Sequence, residues 1–539
     1  MNRRKTKEIQ MSAKPNEVVA PAHRIKLLAD EYWWGGRVTD GHLGPFSTAS
    51  SYRVDLADTG GNQVMPLFIS SRGRAFWSDF PFTVHIEDGH LDAALSPVVQ
   101  EYRPEGVITL SHVGSTLRDA YRSSVGPAIT PTGRMPAEML LSRPQYNLWI
   151  ELLYEPTQDK VLAYAAELLE QGYPPGVLMI DDNWSLDYGR WEFDRAKFPD
   201  PAAMVRSLQR DGFRVMLWVC PFVSPNGRRY LDLRDEGLLL RDASGEVAIR
   251  SWWNGFSALY DLSNPEAVDR FAGELSGLQA RYGIDGFKID AGDSANYEPN
   301  DRTYREKTLP FEQTHTFGEL ATRFEYVEVK AAYRNAGLPL AQRLRDKHHE
   351  WTRHRGVASL IPHTLAQAIT GHAFTCPDMI GGGEYLEFMG RTDPVQPELF
   401  VRYAQIAACM PMMQFSAAPW RLLDPDHQSL CREAAELHVA LGPKILALAR
   451  ESAASGEPIV SPMEYHFPHT GLAEVDDQFM LGPDLLVAPV VEPGHDRRTV
   501  YLPAGRWIDD RGQMHRGGAD IDIEAPLSRL PRFTLQASD

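Results

Sequence analysis

Between about Arg143 and Gly456 the chain alternates short, unbroken apolar runs with helix-length amphipathic stretches, and this rhythm excludes most folds. The apolar runs are Val177–Ile180, Val215–Val219, Gly286–Ile289, Phe374–Cys376 and the stretch from Ala407 to Phe415. Between them lie helical patterns such as Val161 to Gln171, with Gly172 placed as a stop, Pro265 to Tyr282, and Thr364 to Ile369. A strand that is apolar at every position is buried on both faces, which is the mark of a parallel sheet covered by helices. About 300 residues of this pattern fit a (β/α)₈ TIM barrel with insertions. A doubly wound open sheet is the alternative, but no GxGxxG follows a first strand.

The flanks have a different texture. From Tyr32 to Pro131, short alternating runs such as Pro66–Ser70 and Phe82–Ile86 are separated by Gly, Asp and Pro, which reads as a β-sandwich. After Gly456 the β texture returns, with Leu485–Val491 as a buried strand and Thr499–Trp507 as a strand running into a turn. The expected organisation is α/β overall: residues 1–20 disordered, 21–142 an N-terminal β-sandwich, 143–455 the barrel, and 456–539 a C-terminal β-domain. A chain of 539 residues needs several cores, so this division is expected. No repeat of 20–50 residues is visible.

Charge narrows the partners. The formal net charge of −17 argues against nucleic acid or an anionic membrane, since either needs a basic face. Cys220, Cys376, Cys409 and Cys431 form no CxxC, and buried free thiols fit a reducing compartment. The basic start, MNRRKTKEIQ, is followed by no apolar segment of signal-peptide type, so a cytoplasmic location is expected.

The chemistry is written at the ends of the barrel runs, where barrel enzymes carry their reacting groups. One run ends in Asp181-Asp182-Asn183-Trp184, the next reaches Trp218, and another ends at Tyr260-Asp261 after Trp252-Trp253-Asn254-Gly255. Further ends carry Asp290, with Asp293 three residues on, then Asp346, then Pro377-Asp378. Carboxylates accept hydrogen bonds from hydroxyls and indole faces cover C–H surfaces, so acids and Trps on one rim describe a site for a polyhydroxylated ligand. Glycoside hydrolysis needs two carboxyl groups, one ionised and one protonated. Asp290 suits the ionised role, with Lys288 nearby to favour its charge. For the acid, residue type alone leaves Asp346, Glu350 and Asp378 open. The crowded segment KHHEWTRH looks like a zinc-protease helix, but His354 falls at i+5 from His349 and cannot share its face, so no metal and no other cofactor is expected. No phosphate-binding Gly loop and no GxSxG elbow are present.

The order IDDNW, LWVCPFVSP, WWNG…YDLSNP, DGFKIDAGD, PDMIGGG and LLVAPVVEPG…VYLPAGRW resembles glycoside hydrolase family 31, over about Glu31 to Trp507. That resemblance implies a β-sandwich, a (β/α)₈ barrel and a C-terminal β-domain. It also implies retaining cleavage of α-glycosidic bonds through a covalent glycosyl-enzyme, without metal. It places Asp290 as nucleophile, Asp181 as a binder of sugar hydroxyls in subsite −1, and Asp293 as the acid that follows the nucleophile. The W-x-G-D motif that carries the general acid/base in many members is absent, and counting along the chain puts Asp346 in its place. Met413–Ser416 and PDMIGG are similar to the branch of the myogenesis-regulating glycosidase, which includes α-galactosidases. Asp182, Trp184, Trp218, Trp252 and Trp253 are expected to contact the sugar. Lys288, Arg343 and Gln414 complete the expected binding set. The expected partner is a small α-glycoside or oligosaccharide; a homo-oligomer stays open.

Overall fold

A computed structural model describes residues 17–389 and 395–536. Its centre is one parallel sheet built from β1 (Gln145–Asn147), β2 (Val177–Ile180), β3 (Arg214–Val219), β4 (Gly286–Ile289), β5 (Tyr326–Val329), β6 (Ala341–Arg343), β7 (Thr375–Cys376), β8 (Met379–Ile380) and β9 (Gln414–Phe415). The hydrogen-bonded order is β7-β6-β5-β4-β3-β2-β1-β9-β8, with each neighbour parallel. β7 and β8 are two halves of one strand position, broken at Pro377 and Asp378, where Asp378 takes a left-handed φ of 72°. That single chain segment joins both edges of the sheet, so the barrel closes through it. β2 and β4 are buried at every residue, as helices outside and side chains inside require.

The helices follow local signals. In Pro265–Tyr282 the Asn264 side chain accepts from the Glu266 N–H and Pro265 occupies the first turn, where its missing N–H costs nothing. Gly283, at φ 76°, ends the helix in the left-handed conformation that other residues adopt only with strain. Ala267, Val268, Phe271, Ala272, Leu275 and Leu278 form its buried stripe against the barrel.

Three expectations are corrected. The stretch Ala407 to Phe415 is not a strand: its start completes helix Pro397–Ala408, and only Gln414 and Phe415 reach the sheet. A short apolar run has no period to separate a buried helix end from a strand. The run ending at Tyr260-Asp261 is not a barrel strand: Gly255–Leu259 pairs with Ile249–Trp252 and Phe222–Val223 in a separate antiparallel sheet above β3. Asp261 there accepts hydrogen bonds from Ser263, the Tyr304 N–H and Gln313, and organises a turn. Of the expected disordered start, residues 1–16 lie outside the described residues, whereas Glu17–Ala20 forms a strand paired with Ile108–Ser111.

Two antiparallel sheets at the N-terminus pack over a core that includes Trp33, Phe46, Phe68, Phe76 and Phe82. The barrel loop after β5 adds Ala332–Tyr333 to one of them as a strand parallel to Gln63–Val64. Asn62 and Gln63 then donate side-chain hydrogen bonds to the backbone carbonyl of Arg343, at 3.1 and 3.0 Å. The N-terminal sheet is thereby fixed to the barrel rim. C-terminal sheets led by Val460–Ser461 and Arg497–Leu502 pack around Trp507 and Phe533. The four cysteines are free and buried. Among the described residues no helix is long and apolar enough to cross a membrane.

Candidate active site

The carboxyl ends of β2 to β6 converge on a cavity of about 690 Å³. Asp290 follows the last residue of β4 and is 5% exposed. Its Oδ2 accepts from the indole N–H of Trp218 on β3 at 3.1 Å, and its Oδ1 from the Ala291 N–H at 2.9 Å. Burial by itself would raise the Asp290 pKa; the ammoniums of Lys330 and Lys288 and the Arg343 guanidinium outweigh it and hold the carboxyl below the usual range.

Lys330, just beyond β5, was not foreseen and is central. Its Nζ lies 3.1 Å from Asp290 Oδ1 and 3.3 Å from Asp346 Oδ2, and 5.5 Å from the Trp253 ring centre. Two oxygens that touch the same nitrogen can be no farther apart than the sum of those lengths, the scale of the ~5–5.5 Å gap between the carboxyls of a retaining glycosidase. Asp346 comes from the loop after β6, a third of its side chain is exposed, and Arg343 Nη1 donates to it at 2.8 Å. Burial opposes its charge, but Lys330, Arg343 and Lys288 hold its carboxyl well below the ordinary range.

On the opposite wall Lys288 Nζ contacts Asp181 Oδ2 at 2.7 Å. Asp182 accepts from Asn254 Nδ2 at 2.7 Å and from the Tyr188 hydroxyl at 3.1 Å. Burial, with the neighbouring charge of Asp181, pushes the Asp182 carboxyl up to about 6. Burial raises Asp293, which also lines the cavity. Among the described residues no three His, Cys, Asp or Glu are grouped to hold a metal. KHHEWTRH forms an irregular loop rather than a helix.

Of the expected set, Asp181, Asp182, Trp218, Trp253, Lys288, Asp290, Asp293, Arg343 and Asp346 line the cavity. Three do not. Trp184 is fully buried, donates to the Trp218 carbonyl at 2.7 Å and packs on Phe193. Trp252 stacks on Phe222 at 4.2 Å and donates to Ser257, so the hairpin turns its neighbour Trp253 to the cavity instead. Gln414 is sealed in the barrel interior, where Nε2 donates to Glu328 and Gln145, both at 2.7 Å. It cannot read a sugar hydroxyl. Trp33 and Trp34 are buried in the N-terminal cores and do not reach the cavity. That region instead offers Arg37, Asp58, Gly60 and Gly61. Trp149 after β1 and Tyr385 after β8 were also missed. Lys330 had a signal, since it follows a Val-Glu-Val run in the same way that Asp290 follows its own strand.

Arg343 holds the rim together. At 1% exposure it meets Glu328 at 3.2 Å, Asp346 at 2.8 Å and Asp378 at closer range. Replacing it by Met strands two fully buried carboxylates, and a broken buried pair costs about 3–5 kcal/mol. Urea unfolding of Arg343→Met should show a loss of that order; a change below ~1 kcal/mol would show that the carboxylates do not depend on it.

The comparisons with known proteins agree with this geometry. Residues 138–448 match the "Glycosyl hydrolases family 31 TIM-barrel domain" and residues 456–536 the "Glycosyl hydrolase family 31 C-terminal domain". The mouse (Mus musculus) myogenesis-regulating glycosidase is 34% identical over 489 residues, covering 87% of this chain and 68% of that protein. The sulfoquinovosidase of Escherichia coli K12 is 26% identical, over 64% of this chain and 52% of its own length. The chain thus spans about two thirds of the first relative and about half of the second. An α-xylosidase of the same family from a soil metagenome shares the fold, with a TM-score of 0.80 at 22% identity over 97% of this chain and 80% of its own. With its barrel and C-terminal domain both matched, and two carboxylates facing each other at the barrel mouth, the chain belongs to glycoside hydrolase family 31.

Proposed function

We propose that this glycosidase is an exo-acting, retaining α-glycoside hydrolase working by double displacement. The observation that carries the reading is the pairing of Asp290 and Asp346 around Lys330. An Asp290 oxygen attacks the anomeric carbon as the bond to the leaving oxygen breaks, and Asp346 gives that oxygen its proton. Water then attacks the glycosyl-aspartyl ester, Asp346 takes the water's proton, and the Asp290 carboxylate is released. Trp218 and the Ala291 N–H orient the nucleophile, and the low pKa of Asp290 keeps it ionised. Lys330 holds Asp346 ionised too, so an incoming sugar has to displace the ammonium before Asp346 can keep a proton. Asp181, Asp182 and Asp293 accept from sugar hydroxyls, and Trp253 offers a ring face. The buried thiols fit a reducing, cytoplasmic setting.

Galactose is the favoured sugar in subsite −1, on the likeness of Met413–Ser416 and PDMIGG to the branch named above. A panel of 4-nitrophenyl α-galactoside, α-glucoside, α-xyloside and α-sulfoquinovoside tests this. The galactoside should be turned over at least ~10-fold better in kcat/KM than the rest; a hydrolysed β-anomer, or sugar binding with no turnover of any α-glycoside, would overturn the reading. Transfer to an added alcohol acceptor, measured in the same assay, separates hydrolysis from transglycosylation.

A further inference from the structure

We propose that a second cavity, on the far side of Asp346 from the sugar pocket, is an oxyanion subsite that receives a phosphate, sulfate or carboxylate carried by the leaving group. This rests on the assignment of Asp346 as proton donor, because the leaving group lies on the donor's side of the broken bond.

The cavity measures about 250 Å³. Arg345, Asp346 and Glu384 line both it and the sugar pocket, so the two are adjoining compartments of one site. Arg345 is exposed and has no hydrogen-bond or ion-pair partner among the described residues. Lys347 also lines the cavity and is 2% exposed. Its Nζ donates to Ser359 Oγ at 2.9 Å and to His363 Nδ1 at 2.6 Å, which leaves one of three donors unused. Among the described residues no carboxylate pairs with it. The nearby Asp378 takes the Lys347 backbone N–H at 2.7 Å and shares the Arg343 guanidinium with Glu328 and Asp346. A buried ammonium is costly, and burial, with the neighbouring Arg345 charge, pulls Lys347 down to about 7 although Asp378 and Asp346 favour its charged form. An anion in the cavity would pair with Arg345 and take the unused Lys347 donor.

The neighbouring histidines form a hydrogen-bonded and stacked chain behind Lys347. Burial keeps His363 neutral. Because the Lys347 ammonium can only donate, His363 Nδ1 is the acceptor and its Nε2 carries the proton. That N–H donates to His42 Nδ1 at 3.0 Å, so the proton of a neutral His42 sits on Nε2. His42 in turn stacks on His354, whose ring lines the cavity, at 4.9 Å. The opposing charges are few. Asp346 is engaged by Lys330 and Arg343, and the Arg355 charge is met by Glu350 at 3.4 Å. Glu384, whose Oε1 accepts from the Leu386 N–H, also lines the cavity, and Asp378 and Asp346 are the acids that act on Lys347. The site thus has an unpaired guanidinium, Arg345, and an unused donor on Lys347, next to the atom that protonates the leaving oxygen.

Two measurements test the proposal. Inorganic phosphate should bind the wild-type protein in calorimetry, with Kd weakened at least ~10-fold in Arg345→Gln and in Lys347→Met, whose melting curve checks its fold. In the second, a 4-methylumbelliferyl α-glycoside of the sugar that the panel selects is compared with its counterpart carrying a carboxylate on the umbelliferyl ring. The ratio of kcat/KM, charged over neutral, should fall at least ~10-fold in Arg345→Gln. No phosphate binding by the wild type, or binding by both variants as tight as that of the wild type, overturns the subsite. Phosphate binding that weakens as expected while no glycoside is hydrolysed supports the subsite and rejects the glycosidase reading instead.

Discussion

Asp290→Asn will lower kcat/KM for an aryl α-glycoside by roughly 10⁴–10⁶-fold, the scale seen when a covalent nucleophile is removed. At about 1.36 kcal/mol per decade that is ~5–8 kcal/mol of lost transition-state stabilisation. The size follows from position. Asp290 is buried, held by Trp218 and the Ala291 N–H, and kept ionised by Lys330, which fixes one carboxylate oxygen for the attack. The amide is nearly isosteric and can keep one acceptor, so the fold should persist, which a melting curve checks. Azide added to Asp290→Ala should restore turnover and give a glycosyl azide of inverted configuration. Activity of Asp290→Asn within ~10-fold of wild type would remove Asp290 from the mechanism.

The second large effect depends on the leaving group. Asp346→Ala should cost roughly 10²–10⁴-fold on an alkyl α-glycoside or disaccharide, where the leaving oxygen needs its proton. A nitrophenyl glycoside, whose leaving group departs without a proton, should lose ~10-fold or less in the bond-breaking step. Azide should now yield a glycosyl azide of retained configuration, because it attacks the glycosyl-enzyme. Equal losses on both substrates would mean that Asp346 supports structure and transfers no proton. The pH dependence has a definite sign. In the free protein Lys330 and Arg343 hold the Asp346 carboxyl low, so kcat/KM falls as pH rises from the acid side. With sugar bound and Lys330 displaced, the Asp346 pKa rises, and the upper limb of kcat lies at higher pH than that of kcat/KM. Coincident limbs would show that Lys330 stays in place during turnover.

Much of the site could be read without coordinates, for local reasons. A carboxylate directly after a buried strand has to be paired or used, and Asp181 and Asp290 each sit after such a run, whereas Asp346 was reached only through the family resemblance. Helix Pro265–Tyr282 was bounded by its own cap, proline and glycine. What failed were questions of facing. Trp184 and Trp218 occupy similar positions near strand ends, yet one is sealed against Phe193 and the other donates to the nucleophile. Trp252 and Trp253 are adjacent, and only the pairing of their hairpin decides which one meets the cavity. Gln414 has the polarity of a sugar contact and the position of a core residue.

By itself the amino-acid order determined the alternation of buried strands and capped helices, the acids at the strand ends and the family, because each is set by neighbours within a few positions. Only the tertiary structure decided that Lys330 stands between Asp290 and Asp346, that Arg343 ties three acids together, and that Arg345 and Lys347 share a cavity with His348, His354 and His363, the last two of which contact His42 of the N-terminal segment. Those contacts join residues far apart in the chain, and their energies depend on burial and exact approach, neither of which is encoded in any one stretch of sequence.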